Sequence, residues 1–272
     1  MNIVIPMAGD SKIFKDAGFK YNKNFTEINH KPLFQRVFES AKNIGEGNFI
    51  FVVNKEDAQK FHINKSLKLL DPHCRVIVAQ GQTAGAACSV LLAAEFIDND
   101  DELIIFNGDQ VLECDLKAVV KNFRANDWDG GIITFESVHP RWSFVRLDEN
   151  NFVIETAEKD PISNHATAGF YYFKRGKDFV ESVKAMIHKD ANVSGFYYVC
   201  PAYNEMIIRQ KIIGCVEIDG SNYFPLTTPK EVDEYETHIK IWEDVYDENS
   251  KAQRYGSRLV RRKFRADALQ DK

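Results

Sequence analysis

The sequence predicts an α/β fold with a doubly wound, mixed but mainly parallel sheet, helices on both of its faces and a smaller β-rich portion. Three observations lead there. Short, nearly uninterrupted apolar runs alternate with segments of helical periodicity through the first half. These runs are bounded by Gly, Asn and Asp and rich in Ile, Val and Phe, as strands buried on both faces are. The second half has more polar strand-like runs separated by turns.

The elements follow in order. Met1-Asn2-Ile3-Val4-Ile5-Pro6-Met7 reads as a buried strand, and Ala8-Gly9-Asp10-Ser11-Lys12 as the polar loop after it. Residues 32–41 carry apolar side chains at helical spacing. Residues 48–53 form the next strand, with a charged helix from about Lys55. Residues 75–79 are a third strand, and Ala84 to Phe96 an Ala/Leu-rich helix with Thr83 as a plausible N-cap. Residues 102–106 are the fourth strand, stopped by Asn107-Gly108-Asp109. Further strands are expected at 130–135, 143–147, 151–156, 167–173 and 211–218, with a hairpin turn at 148–151 and a helix at 177–188. The expected organisation is one domain over 1–240, in halves 1–125 and 126–240. A helical tail, 241–272, carries a basic cluster (Arg254, Arg258, Arg261, Arg262, Lys263 and Arg265).

Composition narrows the function classes. The 272 residues include 35 Lys plus Arg and 40 Asp plus Glu, a formal net charge of −5. That balance argues against bulk nucleic-acid binding. Five scattered cysteines without a CxxC pair support neither a zinc site nor a disulfide framework. No run approaches the roughly 20 apolar residues of a membrane span. The first residues lack the basic region and cleavage site of a signal peptide. The expectation is a cytoplasmic protein.

Ligands of open parallel sheets bind beyond the carboxyl ends of the strands. The informative loops are therefore the strand-end loops. Met7, Ala8, Gly9 and Asp10 could bring backbone N–H groups to a phosphate, with Lys12 adding charge; ordinary turn chemistry is the competing explanation. Gln80, Gln82, Thr83, Ala84 and Gly85 could receive a nucleobase, or could serve only tight helix-on-sheet packing. Gly108 and Asp109 sit where Mg²⁺ bound to phosphates would need an oxygen ligand, though an Asx-turn would also use an aspartate there.

Taken together, these pieces resemble a sugar-phosphate nucleotidylyltransferase with a GT-A/Rossmann-like fold, of the group found with capsule and surface-polysaccharide genes. The matching segments are Ile5-Pro6-Met7-Ala8-Gly9, Lys23, Asn29 to Leu33, Gln82 to Ala87, Asn107 to Gln110, Glu158-Lys159 and Gly169 to Tyr172, in family order. The resemblance implies that a phosphorylated acceptor attacks the α-phosphorus of a nucleoside triphosphate and releases pyrophosphate. By it, Lys23 holds the reacting phosphates, Asp109 binds Mg²⁺, and Lys159 grips the acceptor phosphate. Glu158 and the Gly169 backbone would face the acceptor, and Gln80 and residues 82–85 would read the base. Tyr198, Trp142, Tyr171, Tyr172, Tyr197 and Glu205 are candidates for the acceptor pocket. Members of the family often form dimers or tetramers.

The chain departs from the family pattern in four places. Ser11 stands for the second glycine of the first loop and Ile13 for its arginine. Asn22 and Asn24 replace the prolines that often flank the signature lysine, and the second metal-binding aspartate falls near Pro225, with Asp219 as the nearby substitute. Two readings remain open: Lys12 replaces the arginine and the enzyme is active, or the loop only binds a nucleotide. A glycosyltransferase of the same broad fold is the further alternative, although Asp109-Gln110-Val111 lacks the usual Asp-x-Asp.

Overall fold

The computed structural model describes residues 1–243; the basic cluster at 254–265 lies outside them. The first apolar run forms β1 (Asn2–Met7). A short helix α1 (Lys12–Asp16) and a 3-10 turn (Lys23–Phe25) lead to the hairpin β2 (Glu27–Ile28) and β3 (Lys31–Pro32), then α2 (Leu33–Lys42). Next come β4 (Asn48–Asn54), α3 (Lys55–Gln59), α4 (Ile63–Leu70), β5 (Arg75–Ala79), α5 (Ala86–Leu91) and α6 (Ala94–Ile97). The middle of the chain gives β6 (Leu103–Phe106), β7 (Gln110–Leu112), α7 (Leu116–Ala125), β8 (Gly130–Glu136), β9 (Ser143–Leu147), β10 (Val153–Glu158) and β11 (His165–Phe173). The chain continues through α8 (Gly176–His188), α9 (Ala202–Ile208), β12 (Ile213–Glu217), β13 (Tyr223–Pro225) and a helix over 229–243.

Nine strands form one sheet. Its path runs β10-β9-β11-β6-β1-β4-β5, and β8 and β12 continue from β11. β1 pairs in parallel with both β4 and β6, and β4 with β5, so the first half is the parallel part. β11 runs antiparallel to β6 and joins the two halves. Ile3, Val4 and Ile5 are fully buried, each worth about 1.5–3 kcal/mol of transfer free energy. One apolar cluster, including Phe38, Phe51, Phe106 and Phe170, covers one face of the sheet. A second, including Val52, Ile105, Phe173 and Tyr203, covers the other. The expected fold class is the observed one.

Local differences have physical causes. The helix expected from Ala84 starts at Ala86 because Gly85, its N-cap, adopts φ +106°. Thr83 is not that cap; its hydroxyl meets Ser89 Oγ at 2.7 Å. The charged helix from Lys55 breaks into two where His62 turns left-handed at φ +54°. The 148–151 turn forms as expected, with the Asp148 carboxylate accepting from the backbone N–H groups of Asn150 and Phe152. β7, α7, α9 and β13 carry no sequence signal noted above.

Candidate active site

The carboxyl ends of β1, β5 and β6 face a cleft of about 450 Å³, closed on its other side by residues at the facing ends of β9, β10 and β11. After β1, the chain leaves the sheet through Ala8, Gly9 and Asp10, all on the cleft wall. Asp10 accepts a hydrogen bond from the Lys12 backbone N–H at 3.0 Å, which starts α1. Ser11, buried, accepts from the Lys23 backbone N–H at 2.9 Å. The residue in place of the family's second glycine therefore anchors the main chain of Lys23.

From that turn the Lys23 ammonium reaches Asp109 Oδ2 at 2.8 Å. Asp109 belongs to a loop held from three sides. Gly108 packs its main chain on Pro6, where a Cβ would lie 2.3 Å from the Pro6 carbonyl oxygen. The Asn107 N–H and the Gln110 side-chain amide both donate to the Gly169 carbonyl, each at 3.0 Å. The Asp109 carbonyl accepts from the Leu226 N–H at 2.8 Å. β11 bulges at this point: Thr167 pairs with Thr134, but Tyr171 pairs with Ile132. Gly169 supplies the left-handed conformation, φ +62°, and a Cβ there would lie 2.0 Å from Gln110 Oε1.

After β5, the loop to α5 is crossed by the segment around Tyr197. The Tyr197 N–H donates to the Ala84 carbonyl at 2.8 Å, and the Ala87 N–H to the Tyr197 carbonyl at 3.1 Å. A Cβ on Gly85 would lie 2.4 Å from that carbonyl oxygen, so only glycine fits. Phe196, half-exposed, lines the cleft beside it.

The opposite wall rests on side chains. Lys159 Nζ donates to the Tyr198 hydroxyl at 2.8 Å. This hydrogen bond holds its pKa above the ordinary lysine value, against partial desolvation. Burial pushes the Glu158 carboxyl above the usual glutamate range, although it accepts a hydrogen bond from Ser143 and lies near Lys159. The Lys159 N–H donates to the Trp142 carbonyl at 2.9 Å, which continues the β9–β10 ladder one step past the Ser143–Glu158 pair. Arg141 lies over the Trp142 ring at 3.9 Å and donates to the buried Glu231 at 2.7 Å. Glu231 also accepts from the Thr227 and Thr228 N–H groups, so one carboxylate orients Arg141 and the 227–228 turn together.

The sequence pattern of the nucleotidyl transferase family matches residues 18–245. The chain belongs to that family. It is 27% identical over 190 residues to the bifunctional protein GlmU of Methanocaldococcus jannaschii, a match covering 68% of this chain and 43% of that one. The chain thus corresponds to less than half the length of this curated relative. Among solved structures it is similar to a nucleoside-diphosphate-sugar pyrophosphorylase from Vibrio cholerae, at TM-score 0.73 and 26% identity, over 86% of this chain and 99% of the other. A UDP-glucose pyrophosphorylase in complex with UDP-glucose shares the fold, at TM-score 0.69 and 16% identity, over 88% of this chain and 98% of the other.

In this member of the family, the sequence-derived residues Met7, Ala8, Gly9, Asp10, Lys23, Gln82, Thr83, Gly85, Gly108, Asp109, Glu158, Lys159 and Tyr198 all line the one cleft. Lys12, Gln80, Ala84, Gly169 and Asp219 do not. Lys12 and Ile13 are exposed on α1. The Gln80 side chain turns back onto the Val78 carbonyl. Ala84 gives its carbonyl to Tyr197, and Gly169 buttresses the Asp109 loop rather than facing the cleft. Asp219 caps its own 3-10 turn through Ser221, which also holds its carboxyl below the usual aspartate range. Of the acceptor-pocket candidates, Trp142 and Tyr171 line the cleft. Tyr172 faces the opposite way, stacked on Phe123, and Glu205 pairs with Lys189. The sequence reading missed Arg141 and Thr227 as cleft residues. A search for cations among the strand-flanking residues of the second half would have found Arg141.

No helix of the described residues is long and apolar enough to cross a membrane.

Proposed function

We propose that the protein transfers a nucleotidyl group from a nucleoside triphosphate to a sugar phosphate, releasing pyrophosphate, and that the activated sugar serves surface-polysaccharide synthesis in the cytoplasm. The observation that carries this reading is the meeting of Lys23, Asp109 and Lys159, which lie far apart in sequence, on one cleft at the strand ends. Membership of the nucleotidyl transferase family supports it.

The chemistry makes few demands beyond placement and charge. A phosphate oxygen of the acceptor forms a new bond to the α-phosphorus, and the bond from that phosphorus to the α–β bridging oxygen breaks. The electron pair leaves with pyrophosphate. An acceptor phosphate that is already ionised needs no base. Lys23 neutralises charge on the reacting phosphates, Lys159 holds the acceptor phosphate, and Glu158 accepts a hydrogen bond from an acceptor hydroxyl. The main chain at 8–10 and 82–85 borders the triphosphate and base. Gly85 lets the Tyr197 main chain pack directly against that border.

Asp109 suits Mg²⁺ brought in with the triphosphate. Its Oδ2 meets Lys23, while its Oδ1 has no hydrogen-bond donor among the described residues. No group of three or more His, Cys, Asp or Glu gathers as a metal site among those residues. A hard cation held by one carboxylate and substrate oxygens is the usual Mg²⁺ arrangement. Bound there, it would neutralise phosphate charge; Asp219, its Oδ1 tied to Ser221 in its own turn, does not line that cleft.

The test is pyrophosphate release from each common nucleoside triphosphate against a panel of sugar 1-phosphates and other phosphate esters, with Mg²⁺ and with chelator. Turnover for at least one pair, abolished by chelator, is expected. Nucleoside diphosphate or monophosphate released from a nucleotide sugar would favour a glycosyltransferase. The exposed Ile13 favours one other outcome, nucleotide binding without turnover, which calorimetry would detect.

A further inference from the structure

Asp57 is fully buried and forms no ion pair among the described residues. A carboxylate removed from water needs several donors in place of its hydration. Three amides supply them. Asn22 Nδ2 donates to Oδ1 at 2.7 Å, Asn24 Nδ2 to Oδ2 at 2.7 Å, and Asn54 Nδ2 to Oδ2 at 2.9 Å. Asn54 is local, being the N-cap of the helix that carries Asp57. Asn22 and Asn24 are not. They are the two neighbours of Lys23, themselves 3% and 1% exposed, and they reach Asp57 across 35 and 33 residues of chain.

A helix cap alone would require Asn54 and nothing more. The two distant amides do something else: they turn the side chains on both sides of Lys23 inward onto one anion, leaving that of Lys23 directed at Asp109. Asn24 Nδ2 also donates to the Met7 carbonyl at 3.1 Å, which ties the same turn to the end of β1. We propose that Asp57 is a positioning residue for Lys23, its buried carboxylate clamping Asn22 and Asn24 so that the ammonium is held on the phosphate site; this rests on the phosphate role of Lys23 proposed above.

The backbone supports this reading. Asn22 sits at φ −63° and ψ 157°, the region a proline ring imposes. The resemblance places proline at this position. The carboxylate therefore holds through hydrogen bonds what a pyrrolidine ring holds covalently. An asparagine at 57 would oppose amide donors with a donor of its own, loosening the clamp at nearly constant volume.

The experiment uses the full chain and Asp57→Asn, at a temperature where circular dichroism shows the variant folded. The decisive readout is the rate at which an amine-reactive acylating reagent modifies Lys23, followed by mass spectrometry against the exposed Lys12 as internal reference. We expect several-fold faster modification of Lys23 in the variant, returning toward the wild-type rate in Asp57→Asn/Asn22→Pro. For the acceptor pair found active above, kcat should fall by up to about 100-fold, as for a catalytic group displaced by about an ångström. The acceptor KM should hold, and Asn22→Pro should restore part of kcat. An unchanged Lys23 modification rate in the folded Asp57→Asn protein overturns the proposal, whatever kcat does. If the wild type turns over no pair, the functional reading fails while the modification rates still decide whether Asp57 positions Lys23.

Discussion

The wall built from the ends of β1, β5 and β6 is held by main chain and buried polar groups: Ser11 on the Lys23 N–H, Pro6 under Gly108, Tyr197 across Gly85 and Asp57 behind Asn22 and Asn24. The wall built from β9 and β10 is held by side chains gripping one another: Lys159 on Tyr198, Ser143 on Glu158, and Arg141 between Trp142 and Glu231. Backbone scaffolding tolerates few substitutions and, on the function proposed above, would suit the triphosphate side of the cleft. Side-chain scaffolding can be exchanged residue by residue, which, on the same function, would suit the acceptor side.

The sharpest way to break this comparison is at Lys23. Lys23→Ala should lower turnover by about 100-fold or more, the scale of losing a preorganised charge at a reacting phosphate; near-normal steady-state turnover would remove the lysine from the chemistry. Gly85→Ala tests the backbone wall directly. A methyl at φ +106°, 2.4 Å from the Tyr197 carbonyl oxygen, should cost about 1–3 kcal/mol of stability in thermal unfolding and raise the nucleotide KM. A side-chain wall should respond differently. Lys159→Ala should raise the acceptor KM by about 10- to 100-fold, the worth of one charge-assisted hydrogen bond, with the nucleotide KM unchanged.

Glu158 gives a pH test of the same wall. Burial raises its folded-state pKa, so the native protein keeps this proton after the unfolded chain has lost its own. Its stabilising contribution is whole below the ordinary glutamate range and is lost as pH rises through the raised value. Glu158→Gln, uncharged throughout, should gain melting temperature relative to wild type from acid to neutral pH. A constant difference across that range would contradict the burial argument. The smallest effect is expected at Ile13, which is 57% exposed and off the cleft. Ile13→Arg should shift stability by no more than about 0.5 kcal/mol and leave turnover as it was; a large gain in rate would mean that α1 reaches the phosphates.

Strand-end loops were readable because their signal is local. Asp109 follows an apolar strand directly, and the turn glycines stand within a few residues of the groups they serve. Arg141 was readable as a cation beside a strand but not in the way it is held, because its anchor Glu231 lies 90 residues further on. The clamp on Asp57 was hidden for the same reason: Asn22 and Asn24 look like losses of proline until the fold brings the carboxylate to them. Gly169 was readable as a special position but not in its part. Its left-handed turn supports the Asp109 loop, a contact set by the bulge in β11 rather than by any spacing in sequence.

The bond from the Leu226 N–H to the Asp109 carbonyl joins an early loop to a late segment, alongside the pairing of β13 with β7. During synthesis, a chain whose residue 226 is still inside the ribosome has already exposed β1, β4, β5 and β6, yet the Asp109 loop lacks its last tether. Ribosome-stalled or truncated chains ending before β13 should therefore assemble the parallel strands while leaving that loop loose until β13 has emerged to pair with β7.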